Sequence, residues 1–276
     1  MSRARAATVI VLAAMVGACQ QRSRLRGEAA ALPGEITCAG ITLVLVPQGR
    51  QLIGTNNSRA HNDEKPECWF TLDYPLYLGQ TEVTVKQWRE VMGERLHRYR
   101  TDPMPVGPRW TEATEFCKRF EVLLEKETGQ QWECRLPREA EWEYAACYGQ
   151  PEDEEWWPEA FHYLIDQEWF EGNSGDEMHP VAQKRPNKLG LYDMLGNVQE
   201  WCDGWRPSSM ANVERMLKDG WKQPPADIEF PHRPIRGGHY YAPEDECRPC
   251  WRACSFSDQS HKNVGFRVAA RPKRQD

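Results

Sequence analysis

Gly190-Leu191-Tyr192-Asp193-Met194-Leu195-Gly196-Asn197-Val198-Gln199-Glu200-Trp201 is the stretch on which the reading of this chain turns. Its glycines permit tight backbone approach or a positive φ, and its Trp fills the space between loops. The same chemistry runs outward: 20 Gly, 20 Pro and 12 Trp in 276 residues require many turns and many aromatic packing sites. That composition belongs to a loop-rich α+β fold rather than a helical bundle, and it excludes long coiled coils and collagen-like repeats. With 40% hydrophobic and 11% aromatic residues the chain has a sizeable core, and disorder is excluded for most of it. The 35 Lys+Arg against 41 Asp+Glu leave a formal net charge of −6. This argues against a nucleic-acid partner, because phosphate neutralisation dominates that affinity.

Local patterns predict several elements. Ile41–Val46 is β-rich and is followed by Pro47-Gln48-Gly49 and a second apolar stretch, Leu52–Gly54, which predicts a hairpin. Thr84 with Gln87 has the capping-box spacing and predicts a helix running to Met92 and stopping at Gly93. Ala113, Phe116, Cys117, Phe120 and Leu124 fall on one face of a helix capped by Thr111 and ended by Gly129. Leu136 to Tyr144 starts a short helix with Pro137 in its first turn, and its three Glu read as a solvated face compensating the helix dipole. Glu152 to Glu177 holds ten acidic residues and no Lys or Arg, interleaved with aromatics. It reads as a surface excursion packed on the body, with a binding surface for a basic or sugar-like partner as the alternative.

The amino terminus reads as an export signal: Arg3 and Arg5 precede an apolar run, Ala6–Ala18, too short to span a bilayer as a helix. The run ends Val16-Gly17-Ala18-Cys19, which resembles the lipobox of bacterial lipoproteins. That resemblance implies lipidation of Cys19, a membrane anchor made of acyl chains and a place in the cell envelope, periplasmic or outer-membrane associated. The expected organisation is a signal peptide over 1–18, a tether over 19–36 and one domain over 37–276. Export also favours disulfides among the nine remaining cysteines, Cys38, Cys68, Cys117, Cys134, Cys147, Cys202, Cys247, Cys250 and Cys254, of which an odd number leaves one unpaired.

Taken together, Leu43–Pro47, Thr81–Thr84, Arg135–Tyr144, Gly190–Trp201, Arg236-Gly237-Gly238 and Asn263–Arg267 resemble the formylglycine-generating enzyme family, also called the sulfatase-modifying factor family. The motifs fall in that family's order over nearly all of the part after the signal. The resemblance implies one domain with a variant of the C-type lectin fold, α+β and loop-rich with a twisted antiparallel sheet. It also implies a structural calcium ion held by the carbonyls of Asp193, Gly196 and Val198 and the side chain of Glu200, oxygen ligands that suit a hard cation. Gln199 stands where the family often has an aromatic residue.

The family's oxidase uses oxygen and one copper ion held by two cysteines five positions apart after a Gly-Gly-Ser motif, thiolates being natural ligands of cuprous copper. Here the segment reads Gly237-Gly238-His239-Tyr240-Tyr241-Ala242-Pro243-Glu244. His239 replaces the serine, the first cysteine position falls on His239 or Ala242 according to the anchor, and the second falls near Glu244. Copper is therefore not expected. Cys247, Cys250 and Cys254 lie just beyond, as candidate thiols for a relocated active site, as zinc ligands with His261, or as members of structural disulfides. Disulfides are the simplest account, and the resemblance implies Cys147 or Cys117 as a partner for Cys250 or Cys254. The other histidines show no paired ligand spacing, and no phosphate loop or Gly-x-Ser-x-Gly elbow occurs.

Two functions follow as expectations. The first is a lipid-anchored envelope protein whose family domain binds a protein or glycan, or serves an accessory role, without copper oxidation. The second is an oxidoreductase acting on a cysteine or another side chain through the relocated thiols.

Overall fold

The computed structural model describes residues 32–94, 96, 100–148, 164–206 and 232–273. The export signal, Cys19, the tether up to residue 31 and residues 152–163 of the acidic segment lie outside the described residues. The chain divides into Met1–Gly34 and Glu35–Asp276, and every element below belongs to the second unit. No helix among the described residues is long and apolar enough to cross a membrane.

Strands β1 (Glu35–Cys38) and β2 (Ile41–Val46) form a hairpin closed by Ala39-Gly40, both at positive φ. Strand β1 therefore takes in the last two residues of the expected tether. Strand β3 (Gly49–Ile53) pairs with β4 (Cys68–Leu72) in a small separate sheet. The hairpin expected between Ile41–Val46 and Leu52–Gly54 does not form. Strand β2 is claimed on its two edges by β1 and β5 (Leu76–Gly79), neither of which the Pro47-Gln48-Gly49 turn announces.

Helix α1 (Val85–Met92) forms as its caps dictate. The Gln87 N–H donates to Thr84 Oγ1 at 3.2 Å, the Thr84 N–H donates to Gln87 Oε1 at 2.9 Å, and Gly93 ends the helix at φ 79°. Helix α2 (Trp110–Thr128) buries Ala113, Phe116, Cys117, Phe120 and Leu124, the predicted face, and Gly129 ends it at φ 66°. Its cap is Arg109, not Thr111, because the Arg109 N–H finds the Glu112 carboxylate at 2.8 Å, and the helix gains two residues at its start. Strand β6 (Trp132–Arg135) and helix α3 (Glu139–Cys147) follow, then the single turn α4 (Glu171–Ser174).

A second sheet of four strands gathers β7 (Gln199–Trp201), β8 (Arg233–Arg236), β9 (Arg252–Ser255) and β10 (Val264–Gly265), in the order β10-β7-β8-β9. Strand β11 (Ala269–Pro272) returns to the first sheet, which runs β1-β2-β5-β11-β6 and is antiparallel throughout. The main core packs α1 and α2 with this sheet: Trp88 stacks on Phe116 at 5.4 Å, and Phe266 meets Phe116 edge-on at 5.2 Å. This is the α+β, loop-rich arrangement with a curled antiparallel sheet that the resemblance implies.

Candidate functional site

Helix α3 packs against the β3–β4 sheet and strand β8, and its three glutamates are buried rather than solvated. The expected solvated face is thus overturned, because an arginine reaches each carboxylate, Arg236 and Arg252 from distant segments and Arg135 from the strand just before the helix. Arg252 forks onto Glu139 with two bonds of 2.6 Å, and Arg236 reaches Glu139 at 3.3 Å and also Glu143. Arg135 forks onto Glu141 at 2.6 and 2.7 Å, and the Tyr74 hydroxyl adds a bond of 2.5 Å. Burial alone would raise Glu139 and Glu141, but the guanidiniums of Arg252 and Arg236, and of Arg135, hold both below the ordinary carboxylate range. Glu64 belongs to the same class: Arg248 forks onto it at 2.6 and 3.0 Å and the Cys250 thiol donates to it at 3.1 Å.

The 193–200 loop is built differently. Asp193 and Asn197 hold left-handed backbone at φ 54° and 57°, and a side chain at Gly196 would strike the Trp169 carbonyl at 2.5 Å. The loop brings Asp193 and Glu200 together with Glu82 and Glu168, all buried, around one guanidinium, Arg267. Arg267 is bonded to both Glu200 oxygens, at 2.6 to 2.9 Å, and its remaining N–H groups donate to the Gly79 and Tyr192 carbonyls. The Trp142 indole donates to Glu200 at 2.9 Å. One Glu168 oxygen is buried with no hydrogen-bond partner, whereas the Glu82 and Asp193 carboxyls are hydrogen-bonded to each other, which requires a proton on one of them. Burial first, then neighbouring carboxylates, push Glu82 and Glu168 well above their ordinary values, and burial pushes Asp193 up to about 6.

These residues fit the implied calcium in charge but not in every ligand. Four buried acids face the Arg267 guanidinium, with the Lys184 ammonium near Glu168 and Asp193, and the excess of acid over cation is held as protons that a divalent cation could displace. The Glu200 carboxylate, expected to be a ligand, is instead taken up by Arg267 and Trp142. Among the described residues no three His, Cys, Asp or Glu side chains stand together at metal-ligand spacing. Sequence reasoning missed Glu82, Glu168 and Arg267. Glu82 and Arg267 lie inside quoted motifs, whereas nothing marked Glu168 apart from its acidic neighbours.

The 237–242 loop lies on top of the 193–200 loop. The Tyr240 N–H donates to the Asn197 carbonyl at 2.9 Å and the Ala242 N–H to the His239 carbonyl at 2.8 Å. Ala242 is fully buried, and five residues beyond it stands Cys247, also fully buried and packed directly under Gly238. Burial pushes the Cys247 thiol up, as it does that of Cys250, which reaches about 12. Both are neutral thiols rather than the thiolates that attack or bind soft metals. Burial also pushes His239 down to about 4, so its ring is neutral near pH 7, and it packs on the exposed Tyr241 at 3.9 Å. Cys254 lies half-buried on β9, and the His261 ring is engaged by the Ser255 hydroxyl at 2.7 Å. Beside Tyr240 opens a cleft of about 570 Å³ lined by Arg100, Met104, Glu177, Tyr240, His261 and Lys262 among others.

The family description "Sulfatase-modifying factor enzyme 1-like domain" matches residues 32–272. "Chaperone protein LppX" of Paenibacillus barcinonensis is 31% identical over 205 residues, 56% of this chain and 73% of that protein. The formylglycine-generating enzyme of Streptomyces coelicolor is 34% identical over 154 residues, 49% of this chain and 46% of the enzyme. The chain thus spans about three quarters of the first relative and less than half of the second. Among solved structures, PvdO from Pseudomonas aeruginosa has a TM-score of 0.69 at 22% identity, covering 88% of this chain and 100% of that one. Treponema denticola variable protein 1 has a TM-score of 0.64 at 23% identity, covering 86% and 98%. At such identities the two structures share the fold and carry no more than that.

Proposed function

We propose that this chain, which belongs to the sulfatase-modifying factor enzyme 1-like domain family, is an accessory or binding protein of the cell envelope that lacks the family's copper chemistry. The observation that carries this reading is the 237–247 segment. The first thiol position holds His239 or Ala242 according to the anchor and the second falls near Glu244, neither a thiol, while Cys247, five residues beyond Ala242, is sealed under Gly238 and held neutral by burial. A single buried thiol offers cuprous copper no pair. The partner is a protein or glycan that meets the Tyr240 cleft, which is lined by charges of both signs and whose Tyr240 ring lies 4.8 Å from the exposed Tyr241 ring. The relative named a chaperone supports an accessory role, and the basic start, apolar run and Cys19 support export and a lipid anchor. A structural calcium in the 193–200 loop, on the carbonyls of Asp193, Gly196 and Val198, belongs to the same reading. Its support is the excess of buried acids over cations in that cluster.

The test is thiol alkylation of the purified chain with and without cuprous copper, followed by incubation with cysteine-containing peptides in air. The expected result is no copper protection of Cys247, Cys250 or Cys254 and no aldehyde in the peptide. Copper protection of two of these thiols with peptide oxidation would restore the oxidoreductase reading. For the binding role, the chain is expected to slow aggregation of reduced, unfolded α-lactalbumin, and Tyr241→Ala to weaken that effect. Equal aggregation with and without the chain removes the chaperone-like form of the proposal.

A further inference from the structure

Helix α2 packs on β6, the outer strand of the first sheet, and the two are tied residue by residue. The Cys134 N–H donates to Glu121 Oε2 at 2.8 Å, and the Trp132 N–H to Glu125 Oε1 at 3.0 Å. Strand and helix therefore run in opposite directions, and Cys117, one helical turn before Glu121, comes next along the helix from the point that holds Cys134. Trp132 and Cys134 turn the same face of the strand inward, and both join Cys117, Phe120 and Leu124 in one core cluster. Cys117 is fully buried and Cys134 nearly so, both as thiols. After burial, the nearness of Cys117 is the next influence raising the Cys134 thiol.

From this placement we propose that Cys117 and Cys134 are joined as a disulfide during folding in an oxidising compartment. The pairing ties α2 to the free edge of the sheet and places its bridge in the core, where reductant does not reach. Two thiols lose two protons and two electrons as the sulfur–sulfur bond forms, and the oxidant is another disulfide, reduced to two thiols by exchange. The inference rests on the export contained in the proposed function, so its test is made in a defined redox buffer that does not depend on where the chain resides. The competing thiol is Cys38, buried on β1 at the opposite edge of the same sheet and also felt by Cys134.

The experiment refolds the full chain in mixed reduced and oxidised glutathione, alkylates it in denaturant without reductant, and maps the digest by mass spectrometry. The expected result is a linked pair of peptides carrying Cys117 and Cys134. A second readout is thermal: reductant present during melting should lower the midpoint by several degrees more in the parent chain than in Cys134→Val, which keeps an apolar residue at the site. Recovery of both cysteines as alkylated thiols, or a link from either one to Cys38, overturns the proposal. An equal response of parent and variant to reductant overturns it as well.

Discussion

Among the described residues, buried acids gather in two clusters that are treated in opposite ways. On α3, Glu139, Glu141 and Glu143 meet Arg135, Arg236 and Arg252, so charge is matched and each carboxylate is anchored by a guanidinium. Around the 193–200 loop, Glu82, Glu168, Asp193 and Glu200 share one ion-paired guanidinium among the described residues, Arg267, with Lys184 at the margin, so acids outnumber cations. Matched burial fixes geometry, and the α3 region therefore reads as the frame that joins the β3–β4 sheet to strand β8. Unmatched burial leaves charge for a proton or a cation to neutralise, and that makes the loop the part of the molecule that responds to its medium.

The largest effect is expected where one cation serves the most acids. Arg267→Met leaves four buried carboxylates without their guanidinium and should cost at the upper end of roughly 3–5 kcal/mol, measured by urea denaturation. Glu141→Gln strips Arg135 of its fork and should cost about 3 kcal/mol in the same assay. An Arg267→Met variant as stable as the parent would mean that the loop acids are neutral in the native chain, and the contrast between the regions would collapse.

The two regions also respond to pH with opposite sign. Glu82, Glu168 and Asp193 have folded pKa values above the unfolded range of about 4, so their share of stability is full below that range and is lost as pH rises through the folded values, about 6 for Asp193. Glu139, Glu141 and Glu64 have depressed folded values, so their share is present above pH ~4.3 and is lost as pH falls through those values. Melting of the metal-free chain should therefore peak near pH ~5 and fall by several degrees on both sides. Calcium should restore the neutral-pH loss and do little at pH ~5. A melting curve at pH ~7.5 that ignores millimolar calcium would remove the ion from the proposed function.

Much of this was legible in the sequence, and the rest was hidden for a definite reason. The caps of α1 and the apolar face of α2 depend on residues three or four apart, and local spacing carried them. The motifs around Asp193, Arg236 and Arg267 carried the fold. The fate of the α3 glutamates depends on Arg236 and Arg252, about a hundred residues away in the chain, and a run of Glu in a short helix looks the same whether solvated or paired. The misplaced hairpin has the same origin, since β2 is claimed by strands that local turn chemistry does not name. At the candidate site, the absence of a thiol at His239 and Ala242 was visible, but the sealing of Cys247 under Gly238 needed the packed structure.

The smallest effect gives the sharpest comparison, because the same chemical change should act with opposite sign in the two regions. Glu168→Gln removes one of the unmatched charges and keeps an oxygen to accept the Leu195 N–H that now holds the carboxylate. At pH ~7.5 in chelator it should leave stability unchanged or raise it by up to about 1 kcal/mol, whereas Glu141→Gln lowers it. At pH ~5, where the parent carboxyl is protonated, Glu168→Gln and the parent should melt together. The difference between the two pH values, rather than either midpoint alone, is the quantity to measure, since it cancels any packing cost of the amide. A loss of more than about 1 kcal/mol at both pH values would place Glu168 with the matched acids of α3, and the surplus charge attributed to the loop would have to be sought in Glu82 and Asp193.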